Sequence, residues 1–204
     1  MKCDLHIHTR YSGHSLLRLE TIKKICEKKQ LMVAVTDHNT IQGAIKLKKH
    51  LDIIVGEEIM TDEGEIAGLF LSEEIKPGPL AEVIDTIRDQ DGIIYIPHPF
   101  DRLRKARIQD YSFSKYADVV EVFNSRCLYQ ADNEKARLYA QENRLLTGAG
   151  SDSHTLFEIG NGYVEMEEFN SKNEFLKNLK VANISGKTSP IWVHGFTKLL
   201  KMVL

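Results

Sequence analysis

His6 and His8 stand one residue apart at the end of an apolar run, so on an extended strand both imidazoles point to one face and together can grip a metal ion. The placement recurs. A second apolar run ends in Thr36-Asp37-His38, a third in Gly56-Glu57-Glu58, a fourth in Pro97-His98-Pro99 and a sixth in Ser151-Asp152-Ser153-His154. His14 lies in the loop that follows the first run, Tyr11-Ser12-Gly13-His14-Ser15. Imidazoles and carboxylates suit divalent cations that also bind phosphate oxygens or water, whereas Cys3, Cys26 and Cys127 show no CxxC spacing of a thiolate site. Glu57 and Glu58 are adjacent, so only one of them can face a shared centre, where a carboxylate could bridge two cations and neutralise both. A phosphate held there would draw on cationic groups, and Arg10, Arg102, Arg126, Lys187 and His194 lie in or after the same loops.

Ligand-type residues just past successive apolar runs need a scaffold that gathers the ends of many strands. The runs Cys3–Ile7, Met32–Thr36, Ile53–Gly56, Ile93–Ile96, Val119–Phe123 and Leu145–Ala149 read as buried strands. Amphipathic stretches at Leu19–Lys29, Thr40–Leu51, Leu80–Asp91 and Ala131–Asn143 read as helices between them. Glu65–Leu71 reads as a further strand, paired antiparallel with its predecessor after the turn-rich Thr61–Gly64. Two short helices, Glu174–Val181 and Phe196–Leu204, flank the loop SGKTSPIW. This βα alternation predicts one compact α/β barrel over residues 1–204, with its site at the C-terminal ends of the strands.

The composition limits the partners. Among 204 residues, 42% are hydrophobic and 27% charged, which suits a chain with a sizeable buried core. The net charge of −2 comes without a basic stripe, so a long nucleic acid or an anionic membrane is not an expected partner. No apolar run approaches the roughly 20 residues that cross a bilayer, and no signal peptide is visible. With three cysteines, an odd number that suits reduced thiols, these features predict a cytoplasmic protein; the oligomeric state is left open.

The segments DLHIHTRYSGHS, AVTDHNT, VGEEI, IPHPFD, VVEVFNSR and GAGSDSHT, spread over residues 4–155, resemble the successive motifs of the PHP (polymerase and histidinol phosphatase) family of metal-dependent phosphoesterases. The resemblance implies a distorted (β/α)7 barrel holding two or three divalent ions of Mn, Fe or Zn. Carried over by motif, His6, His8, Glu58 and Asp152 would form one site, Glu58 and His98 a second, and His14, His38 and His154 a third. Two departures stand out: His14 occupies a place that is acidic in many members, and Glu121 and Asn124 occupy the neighbourhood of a further histidine, leaving the second site to be completed by Asn124 or water. The implied reaction is hydrolysis of a phosphoester by a water whose pKa the ions lower. Asp37 would support a ligand or be a marginal one, and Arg102, Arg126 and His194 would hold a small phosphorylated substrate. Other readings are an exonuclease acting on short oligonucleotide ends, a metal-binding module without turnover, and an amidohydrolase, whose eight βα units need roughly 250 residues.

Overall fold

A computed structural model describes residues 1–195 and 197. Each predicted buried run becomes a strand. In chain order the elements are β1 (Lys2–Ile7), α1 (Leu19–Lys29), β2 (Leu31–His38), α2 (Gln42–Lys48), β3 (Ile54–Thr61), β4 (Gly64–Leu69), α3 (Leu80–Asp89), β5 (Ile93–Ile96), β6 (Val119–Asn124), α4 (Gln130–Glu142), β7 (Leu146–Gly150), β8 (Gly162–Glu165), α5 (Lys172–Leu179) and β9 (Asn183–Gly186). The helices follow their apolar spacing: α1 buries Ile22 and Cys26 while Lys28 and Lys29 occupy its last turn, where cations favour the helix dipole. Ser171 caps α5 by accepting a hydrogen bond from the Glu174 amide.

The strands form one sheet in the order β7-β6-β5-β4-β3-β2-β1-β8-β9. β1, β2 and β3 run parallel, as do β5, β6 and β7, and β4 is antiparallel to both of its neighbours. The sheet nearly closes on itself. Beyond β7 the chain runs beside β1: the Asp152 amide donates to the His6 carbonyl at 2.7 Å, the His8 amide to the Ser153 carbonyl at 3.0 Å, and the Ser151 amide to the Asp4 carboxylate at 2.8 Å. Gly150 permits this closure, because a Cβ there would lie 2.3 Å from the His6 Cβ and 2.6 Å from Glu121 Oε1.

This is the distorted seven-stranded barrel that the resemblance implied, and the distortion has two sources. A tight hairpin replaces a helix between β3 and β4, and a loop containing a short 3-10 turn at Phe113–Lys115 replaces one between β5 and β6. β8 and β9, which the sequence reading did not anticipate, extend the sheet past β1; β9 takes the start of the predicted SGKTSPIW loop. Residues 192–195 are helical, and the predicted helix at 196–204 lies outside the described residues apart from Thr197.

Two apolar layers sandwich the strands. Cys3, Leu5, Ala34, Ile54, Ile93, Tyr95 and Val119 belong to one cluster, which also takes in Phe175 and Leu179 of α5. Ile22, Val33, Val35, Leu47, Val83, Ile87 and Ala136 form the other, between sheet and helices. A strictly alternating β1 would place His6 opposite Leu5. The register of β1 against β2 shifts between Asp4 and Ile7, an irregularity of the kind that re-aims side chains at a barrel rim. Among the described residues no helix is long and apolar enough to cross a membrane, and all three cysteines are free and buried.

Candidate metal centre

The parallel strands end on one side of the barrel, and their last residues converge there. Glu58 is the hub: its Oε2 lies 3.4 Å from His6 Nε2, 3.4 Å from His8 Nε2 and 3.2 Å from His38 Nδ1, while its Oε1 lies 3.1 Å from His98 Nε2. Asp152 Oδ1 stands 3.3 Å from His8 Nε2 and 3.9 Å from His6 Nε2. His14 stacks on His38 and His154 at ring separations of 4.9 and 4.8 Å. All eight residues expected as metal ligands therefore meet in one region. Glu57 points away, accepting a hydrogen bond from the Ile75 amide, and burial pushes its carboxyl up to about 8.

The surrounding bonds set the imidazole tautomers. His6 Nδ1 faces Glu121 Oε1 at 3.2 Å and donates to it, which turns Nε2 toward the cluster. Ser12 Oγ donates to Asp37 at 2.8 Å, so it accepts from His8 Nδ1 at 3.1 Å and leaves His8 Nε2 with its lone pair inward. Asp37 also takes the Thr9 amide and hydroxyl, both at 2.6 Å; it holds the loop after β1. Glu121 additionally accepts from the Tyr95 hydroxyl, the His98 amide and Asn124 Nδ2. Asn124 spends its carbonyl oxygen on the Arg126 amide and its nitrogen on Glu121 and Asp152, a role of bracing carboxylates.

Two observations fit this donor set to cations. Glu58 Oε2 and Asp152 Oδ1 are buried with no hydrogen-bond donor among the described residues, although both face imidazole nitrogens. The field is also strongly negative: burial opposes protonation of His6, yet Glu121, Asp152 and Glu58 carry its pKa well above the usual histidine value. A divalent ion satisfies both demands at once. Triads of donors also arise at His8-His38-His154, His6-His98-Asp152 and His38-Glu58-Glu65, all buried except the partly exposed His38. His98 and Asp152, both in this centre, adopt φ values of 30° and 52° and are two of the seven described non-glycine residues with positive φ.

A cleft of about 310 Å³ opens over the cluster, lined in part by His14, His38, Glu65, Arg104, Arg126 and His154. His194 also lines it, with its Nε2 buried and lacking a hydrogen-bond partner among the described residues. Arg126 is immobilised, its Nη1 2.7 Å from His154 Nδ1, its Nη2 2.7 Å from Thr197 Oγ1, and its Nε 3.2 Å from Glu158 Oε1. Arg102 is placed elsewhere than expected. Its guanidinium forks Asp132, with Nη2 at 2.6 Å from Oδ1, and its Cζ lies 4.8 Å from the Tyr129 ring centre. Lys187 and Arg10 do not line the cleft.

Sequence reasoning missed Glu65 and Arg104. Glu65 escaped because β4 runs antiparallel, which brings the start of this strand, rather than its end, to the mouth; its Oε1 lies 3.5 Å from His38 Nδ1. Arg104 sits in the loop after His98, where the run Arg102-Leu103-Arg104-Lys105 offers three cations with no periodicity to select one.

Comparison with known proteins agrees with this fold. A family model described as PHP-associated matches residues 130–184. An uncharacterized protein of Methanocaldococcus jannaschii is 42% identical over 195 residues, covering 89% of this chain and 80% of that protein. A two-domain Bacteroides vulgatus protein containing a predicted PHP-like metal-dependent phosphoesterase shares the fold with a TM-score of 0.73 at 16% identity, over 92% of this chain and 65% of its own length. A lesion-specific endonuclease from Pyrococcus furiosus matches with a TM-score of 0.64 at 17% identity, over 90% of this chain and 57% of that one. Fold and site together define a PHP-type barrel carrying a buried histidine-carboxylate centre. The chain belongs to the PHP family.

Proposed function

We propose that the protein is a metal-dependent phosphoesterase that hydrolyses a small phosphomonoester. The observation that carries this reading is the pair of donorless buried oxygens, Glu58 Oε2 and Asp152 Oδ1, set among imidazoles beneath a cleft that arginines line. His6, His8, Glu58 and Asp152 would hold one ion, Glu58 and His98 a second, and His14, His38 and His154 a third. Two or three ions of Mn, Fe or Zn would supply Lewis acidity toward phosphate oxygens and ionise water near neutral pH. The chain itself contributes the rest. Glu121 and the Ser12–Asp37 pair hold His6 and His8 in the tautomers that aim Nε2 inward, so little reorganisation is needed when charge develops. Burial keeps His38 down at about 3 against the pull of Glu58, so its imidazole stays a neutral donor at physiological pH.

The small-substrate part of the reading is supported by charge. A polymer is gripped through several phosphates, and a chain of net charge −2 has few cations to spare for that purpose. The lesion-specific endonuclease among the structural neighbours favours cleavage of a polynucleotide as the second reading. A panel of nucleoside and sugar monophosphates assayed beside a labelled oligonucleotide, at matched metal and salt, separates the two. Monophosphates should exceed internal phosphodiesters by at least about tenfold in kcat/KM, or about 1.4 kcal/mol. Preferred cleavage of the oligonucleotide would overturn the small-substrate reading.

A further inference from the structure

Two arginines line the cleft, and the structure treats them differently. Arg126 is held from both ends of its fork, Nη1 bonded to His154 and Nη2 to Thr197, while its Nε stands 3.2 Å from Glu158 Oε1 as an ion pair without a hydrogen bond. Arg104 is bound along one edge only: Nη2 contacts Asp152 Oδ2 and Nε stands 3.5 Å from Asp101 Oδ2. Its Nη1 has no hydrogen-bond partner among the described residues. Asp152 therefore presents its two oxygens to different groups, Oδ1 to His6 and His8 and Oδ2 to Arg104. One carboxylate's width separates the guanidinium from the donor cluster.

The loop that carries Arg104 is fixed over the cleft at both ends. Upstream, Arg102 forks Asp132 near the start of α4, and the Asp101 carboxylate accepts the Leu103 amide. Downstream, the Glu65 amide donates to the Ala106 carbonyl at 2.7 Å and Arg107 Nη1 to the Arg104 carbonyl at 2.9 Å. Such anchoring holds a fork-shaped donor in place before a ligand arrives, which lowers the entropic cost of binding.

We propose that Arg104 is the residue that grips the substrate's phosphoryl group, donating from Nη1 while Asp152 and Asp101 hold its other edge. Arg102 and Arg126 then serve the framework, the first anchoring the loop and the second bracing His154. This rests on the phosphoester reading, and inorganic phosphate serves as a probe of binding that needs no turnover.

Titration of phosphate into the metal-reconstituted protein by calorimetry, with metal content measured on the same samples, tests it. Arg104→Ala should raise the phosphate Kd at least tenfold with metal stoichiometry unchanged. Arg104→Lys should recover only part of the loss, because an ammonium restores the charge but not the fork. Lys105→Ala removes a neighbouring exposed cation and should stay within twofold of the parent. Unchanged phosphate affinity in Arg104→Ala would overturn the proposal, as would a loss that follows falling metal content, for then Arg104 merely neutralises Asp152. If Arg104→Ala fails to fold, Arg104→Gln keeps most of the side-chain length and is held to the same two criteria. Phosphate binding that depends on Arg104 in a protein that turns over no ester would sink the phosphoesterase reading and leave the anion site standing.

Discussion

The apolar layer that holds Leu5 and Tyr95 and the charged mouth of the same barrel are equally dry, and burial works in opposite directions in the two. Cys3, Leu5, Ile93 and Tyr95 are 0–1% exposed, as are His6, His8 and Glu58. In the apolar layer, removing hydrocarbon from water stabilises the fold by roughly 25 cal/mol per Å². At the mouth the same dryness disfavours every charge and leaves Glu58 Oε2 and Asp152 Oδ1 without donors among the described residues. A protein keeps such a region only where something offsets its cost. The comparison therefore locates function by energetics: the layer explains why the chain folds, and the mouth explains what the folding is for.

If cations offset the cost of the mouth, the largest effect should come from Glu58, which faces four imidazoles. Glu58→Gln should reduce bound metal and lower kcat/KM by at least about 10³-fold, near 4 kcal/mol; full metal content with parental activity would break the comparison. Chelation comes next. Stripping the ions should lower the unfolding free energy by about 4 kcal/mol relative to protein holding metal at 1,000 times its Kd, and denaturation midpoints that ignore added Mn or Zn would show that the mouth is self-sufficient.

The apolar layer should respond in the opposite sense. Leu5→Ala should cost about 2–5 kcal/mol of stability by urea denaturation while leaving metal stoichiometry intact; coupled loss of both would mean that the two regions are not separable.

The smallest effect concerns Glu57, the carboxylate that faces away from the centre. Its folded pKa is raised from 4.5 to about 8 by burial, so the folded protein holds a proton that the unfolded chain releases above about pH 4.5. Stability should fall as pH rises through that window and level off above about 8, and Glu57→Gln should remove about 1 kcal/mol or more of that slope. Identical pH profiles for the parent and this variant would place the titration elsewhere.

How much of this was legible in the chain depends on how local each signal is. α1 was read with both of its ends, because its apolar spacing and Lys-rich last turn are contained within the segment itself. The β3–β4 hairpin was likewise visible from the turn-rich residues after Thr61. β8 and β9 were not: their short runs are specified by partners, β8 by β1 far upstream and β9 by β8.

The candidate centre divides in the same way. His6, His8, His38, His98, Asp152, His154 and one of the pair Glu57–Glu58 could be picked out because a strand end followed by a ligand-type residue is a pattern of neighbours along the chain. Three things waited for the tertiary structure. Glu65 reached the mouth only through the reversed direction of β4, and Glu57 was separated from Glu58 by the pleat, which sends adjacent side chains to opposite faces. The arginines were the third. Arg102, Arg104 and Arg126 are alike as residue types, and what distinguishes them is which carboxylates the fold brings within hydrogen-bond reach: Asp132 for the first, Asp152 and Asp101 for the second, Glu158 for the third. A side chain's capacity for chemistry is written in the sequence, but its availability depends on neighbours distant along the chain, and only folding supplies those.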